Sequence, residues 1–151
     1  MDDKNQPPYV DRVDAGFLES LVGYNARRVA LVVIDQFIQR MAVFDLRTVD
    51  FSVLSLITHN PGITSRQVCT NLSILAPNLV AMINSLEKKK LIVRQPHPLD
   101  GRAMGLHLTA KGQKLMTEAE KAVNQLELDA TNRLTAAERK TLLAMLKRVY
   151  K

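Results

Sequence analysis

The sequence predicts a mainly α-helical chain interrupted once by a small β-hairpin. Three observations carry this. Apolar residues recur at helical spacing over most of the 151 residues. Thr64 with Gln67, and Thr135 with Glu138, have the spacing of capping boxes, which open helices. Only between residues 91 and 108 does the pattern change to short, β-branched and alternating segments.

The elements follow in order. Pro7-Pro8 marks an extended arm, assigned to residues 1–14. From residue 15 to about 44 there is no proline, and Phe17, Leu18, Leu21, Val22, Ala26, Val29, Ala30, Val33, Phe37 and Met41 keep helical spacing. Residues 29–34 alone would suit a buried strand, but the longer pattern favours one helix of about 28 residues, roughly 42 Å long. Such a rod exceeds the needs of a small core, so part of it is expected to meet a second subunit. Phe51, Leu54, Ile57 and Thr58 trace a second helix, stopped by Asn60-Pro61-Gly62. The Thr64 box opens a short helix to about Asn71. Pro77 suits the first turn of the next, because proline there gives up no needed donor. That helix is expected to reach about Lys90, with Leu79, Ile83 and Leu86 on one face and Asn78, Ala81, Met82 and Ser85 largely off it. Residues 91–95 and 103–108 then form a hairpin, with a long basic tip holding Asp100-Gly101, a turn pair. Thr109 opens a long helix to about Asn132. Thr135 opens a last one carrying Leu142, Leu143, Leu146 and Val149.

Composition narrows the function. Apolar residues at 46% and charged residues at 24% are ordinary for a folded soluble protein. The longest apolar run, residues 29–34, falls far short of the ~20 residues a membrane span needs. Met1-Asp2-Asp3-Lys4 lacks the order of a secretory signal, and the single Cys69 fits a reducing compartment, so the expected location is the cytoplasm. Net charge is +6, but residues 1–14 carry −2 while residues 66–102 carry +4. A basic stretch of this kind attracts polyanions, although a solvated cationic face has the same composition.

Two short helices joined by a tight turn and followed by a hairpin make a winged helix-turn-helix. The major groove, about 12 Å wide, admits one helix. The helix before it braces it and touches phosphates, and an arginine on the hairpin can enter the neighbouring minor groove. The expected organisation is a winged helix-turn-helix over residues 46–108. A helical dimerisation region is expected from residues 15–45 and 109–151.

At these residues the sequence resembles the MarR family of bacterial regulators. The stretch Leu46-Arg47-Thr48-Val49-Asp50-Phe51-Ser52-Val53-Leu54 is similar to the start of that family's second helix. Ala76-Pro77-Asn78-Leu79-Val80 through Asn84-Ser85-Leu86-Glu87-Lys88-Lys89-Lys90-Leu91-Ile92 is similar to its recognition helix. Asp100-Gly101-Arg102-Ala103, followed by His107-Leu108-Thr109-Ala110-Lys111-Gly112, resembles its wing and the start of its next helix. Lys90 departs from the glycine usual in the family.

The resemblance implies a homodimer reading a pseudo-palindromic duplex. Asn78, Ala81, Met82 and Ser85 would face base edges. Thr64, Ser65 and Arg66 would hold phosphates at a helix N-terminus. Lys88 would attract phosphate, Arg94 would belong to the DNA-contacting set, Arg102 would enter the minor groove, and Asp100 would orient the wing by pairing with Arg94 or Arg102. The same residues have plainer readings. Asn78 equally suits a helix start, Met82 suits packing, and Lys88 a solvated helix end. Resemblance also implies repression relieved by a small anionic or aromatic effector, with Tyr24, Arg28 and Phe51 as candidate lining residues. Tyr24 and Phe51 suit ordinary core as well.

No enzymatic chemistry, cofactor or metal is expected. His59, His97 and His107 lack the spacing of a zinc site, unless His97 and His107 approach across the hairpin. No Gly-x-Ser-x-Gly elbow or phosphate-cradling glycine loop is present. Cys69 suits a buried structural thiol better than a redox sensor. The alternative function is a winged helix whose faces bind protein instead of DNA.

Overall fold

Helices dominate because the local signals agree with the apolar spacing. The structure is a computed structural model that describes residues 9–98 and 100–151, with only the backbone described at Asp100 and Gly101. The chain divides into two units, residues 1–32 and 33–151.

The first unit holds α1 (Gly16–Glu19) and the N-terminal part of α2 (Val22–Met41). The single rod expected from residue 15 is therefore interrupted at Ser20 and Leu21. Polar side chains explain the break. Ser20 Oγ donates to Phe17 O at 2.7 Å, and Asn25 Nδ2 donates to Glu19 O at 2.7 Å and Leu21 O at 2.8 Å. Side chains of this type offer carbonyls an alternative to the helical ladder. A short 3-10 turn, Ala42–Phe44, closes α2, and Asp45 follows with φ of 51°.

In the second unit the elements are α3 (Thr48–His59), β1 (Ile63–Thr64), α4 (Ser65–Leu72), α5 (Ala76–Lys88), β2 (Ile92–His97), β3 (Asp100–Leu108), α6 (Ala110–Ala130) and α7 (Ala136–Tyr150). Both capping boxes form. Thr64 Oγ1 accepts from Gln67 N at 3.3 Å while Gln67 Oε1 accepts from Thr64 N at 2.9 Å. Thr135 and Glu138 repeat the arrangement at α7, and the two hydrogen bonds from Thr135 hold the Glu138 carboxyl below its ordinary pKa.

The core gathers Phe37 and Met41 of α2, Val53, Leu54 and Ile57 of α3, Val68 of α4, Leu79, Ile83 and Leu86 of α5, Ile92 and Leu106 of the sheet, and Met116 and Leu126 of α6. Asp50 is buried at 5% exposure but keeps a bidentate partner, with Arg47 Nε at 2.8 Å and Nη2 at 3.0 Å. A buried carboxylate so paired avoids the cost of desolvation without compensation.

The sheet has three strands in the order β1-β3-β2, all antiparallel, where a two-stranded hairpin was expected. Ile63 pairs with Leu106 and Thr64 with Gly105. Gly105 is required here: a Cβ at that position would lie 2.9 Å from the Gly62 carbonyl oxygen. The hairpin tip is also shorter than expected. Pro96 pairs with Met104 and His97 with Asp100, so the strands run into the segment expected to be loop.

Candidate nucleic-acid interface

The helix-turn-helix is built by α4 and α5, between which the chain changes direction by 117°. The turn uses Ser73 at φ 52°, whose N–H donates to Cys69 O, and Pro77 sits in the first turn of α5. Thr64 spends its hydroxyl on the cap, so the anion-attracting groups of α4 are the first-turn amides at Ser65 and Arg66 and the exposed Arg66 guanidinium.

On α5 the buried stripe Leu79, Ile83 and Leu86 leaves an opposite arc exposed. Asn78, Ala81, Ser85 and Lys88 all lie on it, as does Asn84, which the sequence reading left out. Met82 sits on the shoulder of this arc, half-buried and packed against the core.

The end of α5 is fastened on several sides. Lys90 adopts φ of 58°, its N–H donates to Glu87 O at 2.8 Å, and Leu91 N–H donates to Leu86 O at 3.0 Å. That is a Schellman motif with lysine where glycine is preferred. Lys89 Nζ reaches the Asp45 carboxylate at 2.8 Å and the Asp45 carbonyl at 3.0 Å, which holds the Asp45 carboxyl below its ordinary pKa. The carbonyls of Lys89 and Lys90 accept from Lys111 Nζ at 2.9 Å and Thr109 Oγ1 at 2.7 Å. Of the lysine run, Lys89 is thus an anchor, while Lys88 and Lys90 are exposed.

The wing stands beside α5. Between the Pro96–Met104 and His97–Asp100 pairs, β3 has residues 101–103 in excess, and this irregularity carries the exposed Arg102. Arg94, on β2, does not turn toward the tip. Its Nη2 donates to Asn84 Oδ1 at 2.6 Å and lies 3.1 Å from Glu87 Oε2, both on α5. The expected pairing of Asp100 with Arg94 or Arg102 concerns the Asp100 carboxylate. The side chain of Asp100 itself lies outside the described residues. A groove lined by Thr64, Ser65, Arg66, Val80, Ile83, Arg94, Ala103 and Met104 brings the α4 N-terminus, the flank of α5 and the wing together.

The effector candidates are distributed differently. Tyr24 is half-buried and Arg28 exposed, both in the first unit. Phe51 lies on α3 in the second unit, edge-on to Phe37 with ring centroids 5.6 Å apart. It lines a hollow with Ser55, His59, Glu120, Val123 and Asn124, where His59 Nε2 meets Glu120 Oε1 at 2.9 Å. That hydrogen bond joins α3 to α6 and escaped the sequence reading, since its members are 61 residues apart. The strand register sets His107 opposite Val93 and His97 opposite Asp100. Among the described residues no three metal-binding side chains converge. Cys69 is half-buried against the core. Among the described residues no single helix is long and apolar enough to cross a membrane.

A braced helix with a polar exposed arc and a cationic β finger at its side defines a winged helix-turn-helix protein. The MarR family model matches residues 44–103. A protein from Thauera aromatica, whose name assigns it to transcriptional regulation of the hcr operon, is 31% identical over 137 residues, spanning 90% of this chain and 82% of its own length. The transcriptional repressor CouR, solved with a 23-mer DNA duplex, is 37% identical with a TM-score of 0.86, spanning 93% of this chain and 99% of that one. CouR solved with p-coumaroyl-CoA is 35% identical with a TM-score of 0.81 over the same shares, 93% and 99%. The chain belongs to the MarR family of transcription regulators.

Proposed function

We propose that this regulator is a cytoplasmic homodimeric repressor that binds a pseudo-palindromic duplex and leaves it when a small aromatic or anionic effector binds. One observation carries the reading: α5 turns an arc of Asn78, Ala81, Ser85 and Lys88 to solvent, flanked by Arg66 at the start of α4 and Arg102 on the wing. An exposed helix of that width fits the major groove, and the two flanking cations suit phosphates and the minor groove. Asn78, with Ala81, Met82 and Ser85, reads bases. Thr64, Ser65, Arg66 and Lys88 hold the backbone, and Asp100 and Arg102 serve the wing.

Dimerisation is supported by apolar surface that a lone chain leaves in water. In the second unit, α7 exposes Leu143, Met145, Leu146 and Val149, and in the first unit Phe17, Val29, Leu31 and Val32 are exposed. Surface of this kind marks an interface. The effector reading draws on the hollow beside Phe51 and on CouR having been solved with p-coumaroyl-CoA. Tyr24 and Arg28, in the first unit, are effector candidates from the family resemblance alone.

The test is selection of bound fragments from random duplex DNA, followed by titration of the recovered duplex over a range of salt. The expected result is a recovered motif with half-sites about 10 bp apart and a log–log salt slope of about −0.9 per phosphate contact. Recovery of no motif, or affinity that ignores salt, refutes the reading. Repeating the selection with aromatic acids and their thioesters tests the effector.

A further inference from the structure

We infer that Asn84 is a DNA-contacting residue whose amide is aimed by Arg94, and that Arg94 is a positioning residue instead of a DNA contact itself. This rests on the duplex-binding reading above and adds a residue to it.

The argument starts from hydrogen-bond chemistry. A guanidinium has donors only, so the Asn84 atom facing Arg94 Nη2 at 2.6 Å must be its oxygen. The amide orientation is therefore settled by its partner. With Oδ1 turned to β2, the Nδ2 donors point away from the wing strand. Asn84 is exposed, one residue before Ser85 and four before Lys88, on the same solvent-facing arc of α5. Its two N–H groups are then presented to acceptors on whatever lies against that arc. Acceptors of this type are abundant on a duplex, as guanine O6 and N7, adenine N7, thymine O4 and phosphate oxygens.

Arg94 is committed elsewhere. It holds Asn84 and lies 3.1 Å from the Glu87 carboxylate, so its charge is matched within the protein. A cation already neutralised by a carboxylate releases few counterions on meeting DNA. Arg94 therefore acts by fixing a side chain on α5 and by tying the root of the wing to that helix. An ordered amide loses less rotamer freedom on binding than a free one, which favours affinity.

The test uses the full-length protein and a duplex that the wild type recovers from a random pool. Arg94→Met with Glu87→Gln removes the clamp while leaving the local net charge unchanged. Asn84→Ala in the wild-type background is expected to weaken binding about 10-fold. In the Arg94→Met/Glu87→Gln background the same change is expected to cost less than about 3-fold, since the amide is no longer aimed. The clamp variant itself is expected to bind more weakly with its salt slope unchanged.

Comparison with random duplex of equal length identifies the acceptor. Greater loss on the recovered duplex points to a base edge, and equal loss to a phosphate oxygen. Wild-type binding with strictly additive costs at positions 84 and 94 overturns this inference alone. So does a fall of about 0.9 in the salt slope of the clamp variant, or wild-type affinity in Asn84→Ala. Failure of the wild type to recover any duplex overturns the functional reading and this inference with it.

Discussion

Replacing Lys90 by glycine should stabilise the protein. Lys90 ends α5 with φ of 58°, a left-handed conformation that crowds Cβ against the following carbonyl. That crowding costs about 1–2 kcal/mol in a residue with a side chain. Glycine removes it but gains freedom in the unfolded chain, which costs about 0.4–1 kcal/mol. The two hydrogen bonds of the motif, Lys90 N–H to Glu87 O and Leu91 N–H to Leu86 O, are backbone only and survive the change. The bond from Thr109 Oγ1 likewise goes to the Lys90 carbonyl. The net expectation is a gain of about 0.5–1 kcal/mol, or a rise in Tm of roughly 2 °C for a chain of this size. Urea and thermal unfolding followed by circular dichroism, at one fixed protomer concentration, measure it. An unchanged or lower Tm would refute the strain argument and would mean that the Lys90 side chain contributes contacts worth as much as the strain.

Three further predictions follow from the same reasoning. Gly112→Ala should abolish or severely impair folding, because the new Cβ would collide with the backbone carbonyl of Leu91. Well-folded Gly112→Ala protein with wild-type Tm would show that α6 is not seated against Leu91 as described. Asp45, Asp129 and Glu138 all have lowered carboxyl pKa values: Asp45 through Lys89, Asp129 through Gln125 and Arg40, and Glu138 through Thr135. Their stabilising contribution is complete above the ordinary carboxylate pKa of about 4 and is lost as pH falls through the lowered folded values. The Glu138→Gln variant should therefore show a shallower loss of stability below about pH 4 than wild type, in an acid titration of Tm. On DNA, Arg102→Ala should weaken recovered and random duplexes by similar factors, whereas Asn78→Ala should reduce the preference between them. Equal losses for Asn78→Ala would remove it from base reading.

What could be read from the residues was whatever depends on near neighbours. The Thr64 and Thr135 boxes need only three-residue spacing, and both formed. The core stripe of α5 likewise follows from spacing alone. The break at Ser20 and Leu21 was hidden because apolar periodicity continues through it, while Asn25 competes for carbonyls through its side chain. β1 spans two residues, too few to show alternation, and exists because Gly105 lets the chain approach. The hairpin tip was overestimated because an irregularity lets β3 start at Asp100, inside what reads as a turn. For the interface, spacing set Asn78, Ala81, Met82 and Ser85 off the buried stripe of α5, and the family resemblance alone gave them the base-facing role. Arg94 and Asn84 were missed as a pair because strand-to-helix contacts are not periodic in sequence.

The fastening at the inner end of α5 constrains how control can reach DNA. Asp45 grips Lys89 from the α2–α3 junction, while Thr109 and Lys111 grip the same end from the start of α6. Turning α5 alone in its socket would break these contacts on both sides. A shift of the α2–α3 junction or of the start of α6 therefore acts directly on the end of α5 through these three hydrogen bonds. Selective loosening of a single clamp, as in Lys89→Ala, would convert a stiff linkage into a slack one.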